Sequence, residues 1–293
     1  MKNCKSILFV LGFVIVLVVA ATAADAPPLT FKFTTVNVPG ALQTSASGVN
    51  NAGATVGDYE DKNKVSHGYI LSGKKLTTLD DPNGTDTIVS DIQYNGTNVV
   101  GLYTNSSGAS VGFLYKGKTF TDITGPTGAI AAQANAINDK GAIVGNYTDS
   151  SGVVHGFLLK GATYTTLDVP GANAYSEAAG INNKGNIVLW WLDSTGAYES
   201  SLYNGKTYKT INVPKAASSL AFDLNNAGDV VYAWLDSSGS VHGALLDAGK
   251  YYKFDYPKGV NTYGGGINDK HTIAGGYAAT KGGPGSAYKA TFE

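Results

Sequence analysis

The chain contains no arginine: all 21 of its basic residues are lysine, set against 22 Asp and Glu for a formal net charge of −1. Arginine grips phosphate and carboxylate through two parallel N–H bonds, and nucleic-acid binders gather basic side chains into a net positive surface. Their absence predicts no nucleic-acid partner and no clamp for a strongly anionic metabolite. Charged residues reach only 15% of the 293 positions and apolar ones 43%, which excludes a disordered, self-repelling chain. The one cysteine, Cys4, and the one methionine, Met1, stand at the extreme N-terminus. The rest of the chain therefore has no thiolate nucleophile and no thiolate zinc site, and no cofactor is expected. Also missing are an apolar period of 3.6 over a helical length, a G-x-S-x-G elbow and an H-E-x-x-H pair. Gly264-Gly265-Gly266 stands within a strand pattern and not ahead of a helix, so it is no phosphate cradle.

What the chain has in place of these begins with an export signal. Lys2 and Lys5 precede an apolar run from Ile7 to Val19, and Ala21-Thr22-Ala23 offers a small-x-small cleavage site. The expected organisation is a signal peptide over 1–23, a short linker over 24–30 and one domain over 31–293. The alternative is a retained anchor, because the run extended to Ala24 approaches spanning length. A secreted or periplasmic location follows, with no membrane contact after cleavage, and the lack of disulfides fits a bacterial envelope.

Aligned on itself, the chain repeats. Thr165-Thr166-Leu167-Asp168-Val169-Pro170 has counterparts ending at Pro39, Pro82, Pro126, Pro214 and Pro257, spaced 43 or 44 residues apart. A second marker, Gly180-Ile181-Asn182, returns as Gly48-Val49-Asn50, Asp91-Ile92-Gln93, Ala136-Ile137-Asn138, Asp223-Leu224-Asn225 and Gly266-Ile267-Asn268. Each unit holds four short apolar segments divided by turn chemistry such as Asn138-Asp139-Lys140-Gly141, Asp149-Ser150-Ser151-Gly152 and Lys160-Gly161. Four antiparallel strands per repeat and six repeats predict an all-β, six-bladed β-propeller. The chain opens on an outer-type strand, Phe31 to Pro39, and ends on a third-type strand, Ser286 to Phe292. The N-terminal strand is therefore expected to complete the last blade and close the ring, with the Gly-Ile-Asn strand innermost. An open solenoid would require atypical capping repeats, and none is visible.

The unit built from Ala136-Ile137-Asn138-Asp139-Lys140-Gly141, Ile143-Val144-Gly145, His155-Gly156-Phe157-Leu158 and Gly161 resembles the HAF-repeat family of exported bacterial proteins. The similarity covers residues 31 to 293. It implies a secreted β-propeller and brings no catalytic residues with it. The Gly of His-Gly-Phe, where the family more often has Ala, is a small departure.

Several residues invite chemistry. His67, His155 and His242 share one position in blades one, three and five, but it lies on the third strand from the axis. That is too far out for the three to share an ion, so a structural role within each blade is expected. His271 replaces a hairpin glycine and reads as a surface turn residue. Each Asp-Ser-Ser-Gly turn supplies one carboxylate, too few for calcium. Tyr59, Tyr103, Tyr147, Trp191, Trp234 and Tyr277 recur at one position and read as packing between blades.

Departures from the sixfold pattern carry more information. Asp91 and Asp223 replace a small residue in the innermost strands of blades two and five. They are expected either to face the central channel and hold a cation or sugar hydroxyl, or to be satisfied by nearby backbone amides. Trp190 and Tyr232 break the Ile-Val-Gly pattern, and Tyr175 and Glu177 precede the inner strand of blade four. Together they predict an aromatic, acidic surface for a sugar or a partner side chain, with local repacking as the plainer alternative. The expected recognition face carries the loops Gly40 to Ser45, Asn83 to Val89, Gly171 to Glu177 and Lys258 to Tyr263. The reading is a binding or scaffold module for an extracellular glycan or protein surface. The alternatives are a glycan hydrolase or lyase using Asp91, Asp223 or Glu177, and a structural surface protein.

Overall fold

The computed structural model describes residues 29–293; the expected signal segment and most of the linker lie outside the described residues. Six antiparallel sheets form a ring, each running from an inner strand at the axis to an outer strand at the rim. No helix is present among the described residues, so none is long and apolar enough to cross a membrane. Blade three shows the pattern: inner strand Ala131–Ile137, then Ile143–Thr148, Val154–Lys160 and the outer Thr163–Leu167. In blade one the inner strand is split into Gln43–Thr44 and Gly48–Val49. The innermost strand of blade six, Asn261–Ile267, lies against that of blade one. The outer strand of blade six is Phe31–Val36, which pairs antiparallel with Gly285–Phe292 from Phe31↔Phe292 to Val36↔Ala287. The six-bladed propeller closed by its N-terminal strand is thus the observed fold.

The core lies between consecutive blades. Between blades three and four it contains Val144, Leu167, Ala178, Ile187 and Leu189, all buried. Because both faces of a blade are covered by neighbours, the second strands are buried without alternation, as over Ile143 to Asn146 and Val230 to Trp234, while inner strands such as Ala131–Ile137 alternate.

The marker asparagines join the blades. In Asn182 the side-chain oxygen accepts the backbone N–H groups of Lys184 and Asn186, both at 3.1 Å, which shapes the turn. Its Nδ2 donates to the Asn225 carbonyl of the next blade at 3.0 Å. Asn138 donates likewise to Asn182, Asn225 to Asn268, Asn268 to Asn50 and Gln93 to Asn138, while Asn50 donates to Gly96. Six buried amides, five asparagines and Gln93, therefore each tie their blade to the next all the way around the axis.

The Ile-Val-Gly glycine has a packing cause. A Cβ on Gly145 would lie 1.9 Å from the Gln133 carbonyl oxygen and 2.9 Å from the Phe157 ring, which packs over it from the facing position of the next strand. Glycine faces an aromatic in the same way at Gly57↔Tyr69, Gly101↔Phe113 and Gly275↔Tyr288. Blade five reverses the pair as Tyr232↔Ala244, and blade four uses Leu189↔Ser201. Tyr232 is the aromatic of its blade moved one strand inward: fully buried, with its hydroxyl donating to the Ile211 carbonyl at 2.9 Å. It therefore leaves the set of ligand-facing residues, and repacking is the correct account of that irregularity.

Candidate functional site: a blind axial channel

Each inner strand is broken by a register shift three residues before its marker Asn, for example between Ala134 and Ala136 and between Ala178 and Gly180. The residue released by this bulge points at the axis. Ser47, Ser90, Asn135, Ala179, Phe222 and Gly265, one per blade, ring a cavity of about 190 Å³, and Glu177 and Tyr263 complete its wall.

The far end of the channel is shut. Blade two has one residue more than its neighbours between the marker strand and the following glycine, nine positions from Ile92 to Gly101 against eight from Ile137 to Gly145. The extra residue is Tyr94. It is buried and crosses the axis to donate its hydroxyl to the Leu224 carbonyl in blade five. Beyond it, Asn51, Asn95, Asp139, Asn183, Asn226 and Asp269 form a second ring, in which Asp139 accepts from the Asn95 amide at 2.9 Å and from Asn183 Nδ2 at 2.7 Å.

Asp91 and Asp223 do not line the cavity. The bulge turns the preceding residue to the axis and directs these carboxylates between blades. Asp91 Oδ2 accepts the Ile137 amide at 3.0 Å, and Asp223 accepts the amides of Leu224 at 2.8 Å and Ile267 at 2.9 Å. A Cβ on Gly48 or Gly180 would come within 2.9 Å of their Oδ1 atoms, so glycine on the neighbouring blade makes the room. Burial pushes both carboxyls up, opposed by these amides. The backbone-satisfied alternative describes both residues.

Tyr175, Glu177 and Trp190 are brought together. Glu177 faces Trp190 across the strand pair, accepts the Tyr175 hydroxyl at 2.6 Å, and accepts Asn135 Nδ2 at 3.0 Å from blade three. Burial pushes its carboxyl up to about 7, with Tyr175 and Asn135 opposing. Tyr175 stacks on Trp190 at 5.1 Å between centroids, and Tyr198 meets the indole edge-on at 5.2 Å. The three rings are half-buried, and the Trp190 N–H is buried with no acceptor. On the opposite wall, burial pushes Tyr263 up to about 12 and also raises Asp58, which bonds Ser45. Asn135 and Tyr198 were not singled out in the sequence, because a bulge has no residue signature and Tyr198 begins a strand like any other. Tyr94 was open to discovery by counting.

The repeated candidates have structural roles. His155 Nδ1 lies 3.0 Å from Asp168 and Nε2 lies 3.4 Å from Asp149, with its ring stacked on Tyr147. His242 repeats this with Asp255, Asp236 and Trp234. In His67, burial disfavours the charged form, but Asp80 and Asp61 outweigh it and raise the pKa. The Asp-Ser-Ser-Gly carboxylates cap their own turns: Asp149 Oδ1 accepts the amides of Ser151 and Val153. His271 adopts the left-handed conformation of a hairpin glycine, φ 56°, on the surface.

No family model matches the chain, and no curated protein matches it. Solved structures do. The chain is similar to a putative TolB from Agrobacterium tumefaciens, with 13% identity over 91% of this chain and 98% of that one at a TM-score of 0.61. It is similar to the SapL1 lectin in complex with alpha methyl fucoside, with 7% identity, coverage of 85% and 92%, and a TM-score of 0.56. It is also similar to a fucose-specific lectin from Aleuria aurantia, with 12% identity, coverage of 89% and 96%, and a TM-score of 0.54. At these identities the likeness is one of fold.

Proposed function

We propose that this chain is an exported β-propeller binding module, built on the HAF-type repeat that its sequence resembles, which holds a neutral extracellular glycan at the mouth of its blind channel. The observation that carries this reading is that Glu177 and Asn135, which line the cavity, are joined to the aromatic cluster of Tyr175, Trp190 and Tyr198 through the Tyr175 hydroxyl. Aromatic faces pack on the C–H faces of sugars, while an amide and a carboxyl fix hydroxyls. The cavity, about 190 Å³, is small for a ligand pocket and suits one terminal sugar. Glu177 is flanked by a phenol and an amide and not by a second carboxylate, which favours binding over a paired-carboxyl hydrolase. That similar propellers include lectins is in keeping with this reading.

All three tryptophans lie in blades four and five, so their emission reports on this region. Residues 24–293 are titrated with methyl α-fucoside and neutral oligosaccharides while reducing ends are assayed in the same samples. A saturable emission change, weakened roughly tenfold in Tyr175→Ala at unchanged melting temperature, is expected, since one stacked ring contributes about 1.4 kcal/mol. No change with any glycan overturns the reading in favour of a protein-binding scaffold. New reducing ends, lost in Glu177→Gln, overturn it in favour of a hydrolase.

A further inference from the structure

The near-zero net charge conceals a separation of charge between the two faces of the ring. Strand direction assigns every turn to a face. The channel mouth opens among turns and loops rich in carboxylates, including Asp61, Asp149, Asp193 and Asp236 in the turns between second and third strands. On the opposite face each blade presents an exposed lysine: Lys74, Lys116, Lys160, Lys206, Lys250 and Lys270 from blades one to six. Three carboxylates on this face are turned inward or already engaged. Asp139 and Asp269 belong to the axial Asn/Asp ring, and Asp229 is buried on Asn225 Nδ2 at 2.8 Å.

On this face, between blades three and four, a groove of about 380 Å³ is bordered by Lys140, Lys160 and Lys184. These lysines come from three different hairpins, all three are exposed, and none pairs with a carboxylate among the described residues. The floor is Leu158, Ala142 and Ile181. Beside it stand the turn glycines Gly141, Gly161 and Gly185, each with positive φ, which leave the backbone uncovered for hydroxyls.

We propose that this groove is a second binding site, on the face away from the channel, for an anionic polysaccharide of uronate type. Three convergent ammonium groups match carboxylates repeated along a chain, and an apolar floor with open backbone matches the pyranose rings between them. A nucleic acid would call for aromatic faces on which its bases stack and for a net positive chain, whereas no aromatic side chain lines this groove and the chain carries a net charge of −1. The volume falls within the usual ~300–1,000 Å³ of ligand sites. Attraction through lysine point charges is screened by salt, so the affinity falls as ionic strength rises.

The test measures binding of residues 24–293 to immobilised polygalacturonate, to the same polymer methyl-esterified, and to a short duplex DNA, across a salt series. Salt-sensitive binding to polygalacturonate alone is expected. Lys140→Glu/Lys160→Glu/Lys184→Glu should lose roughly tenfold or more in affinity. A control reversing the same number of charges on the channel face, Lys62→Glu/Lys258→Glu/Lys281→Glu, should stay within about twofold at physiological salt, since those lysines sit at the opposite ends of the strands from the groove. The Lys→Gln triple separates lost attraction from added repulsion and should weaken binding in the same order. Tyr175→Ala should bind polygalacturonate as the wild type does, so failure of this site and failure of the channel reading stay distinguishable. The proposal is overturned by no binding, by equal loss in both triple variants, by equal binding of the esterified polymer, or by DNA binding of equal strength.

Discussion

Glu177 ties the stability of the propeller to pH. Its carboxyl is raised from 4.5 to about 7, burial being the cause and its bonds to Tyr175 and Asn135 the opposition. A group that holds its proton more tightly when folded stabilises the fold fully below the unfolded value. That contribution is lost as pH rises through the folded one. Stability should therefore fall between about pH 4.5 and 7 and then level off. A displacement of this size corresponds to roughly 3 kcal/mol at full strength, and the partial exposure of the carboxyl reduces it. Asp58, Asp91 and Asp223 are also raised and add slopes of the same sign, so the measurement must be a difference. Glu177→Gln keeps a neutral partner for both neighbours. The unfolding free energy of the wild type minus that of Glu177→Gln should decline by about 1–3 kcal/mol from pH 4.5 to 8. A flat difference would show that the carboxyl titrates alike in the folded and unfolded chains. Trp190 stood out in the sequence because it departs from a sixfold pattern that packing alone would preserve, and Tyr175 and Glu177 because they stand close by, ahead of the inner strand of blade four. Asp91 and Asp223 departed equally and proved to be ties between blades. A departure from a repeat shows where the chain differs, and a single bulge then decides whether the side chain meets the cavity or a backbone amide.

At the scale of the strand pair, the exchange of bulk between facing positions accounts for the diverged blades. Four blades set a glycine against an aromatic, and blade five sets Tyr232 against Ala244. If volume shared across the pair is what matters, the arrangement is reversible within blade five. Tyr232→Gly alone empties a fully buried ring and should cost about 3–5 kcal/mol. Ala244→Phe alone overfills the same space and should cost about 1–3 kcal/mol. Together they rebuild the pattern of blade three, and the double variant should recover about 2 kcal/mol relative to Tyr232→Gly. Denaturant unfolding of the four proteins supplies the cycle, and a double variant no more stable than Tyr232→Gly contradicts it. The strands themselves were legible, since β-branched and aromatic content between turn glycines marks them. The compensation was legible in part, because Ala244 and Ser201 stand where Phe157 has its ring. The bulge was not, because it shifts the phase of the strand between two faces that are both buried, so the apolar pattern does not record it.

At the scale of the ring, closure rests on one segment from the far end of the sequence. Phe31–Val36 completes blade six, with Val36 and Val38 buried and Phe31 and Phe33 packed around Phe254, Tyr288 and Phe292. Phe31 lies 4.7 Å from Phe254, which belongs to blade five, so the segment binds the ring across a blade boundary as well as within its own sheet. Closure was legible because the chain begins with an outer-type strand and its last copy lacks one, an argument from counting alone. A chain starting at Pro39 should keep blades one to five and lose roughly 5 kcal/mol or more of apolar burial at the sixth. It should also expose the edge of Gly285–Phe292, whose free N–H and C=O groups invite pairing with a second copy. Light scattering should then show concentration-dependent association, with a lowered melting temperature. A synthetic peptide of residues 29–38 added in trans should reverse both by taking the vacant edge as a strand, whereas a peptide with Phe31 and Phe33 changed to serine should not. A shortened chain that stays monomeric at the wild-type melting temperature would mean that the ring of marker asparagines, from Asn50 to Asn268, holds the six blades together by itself.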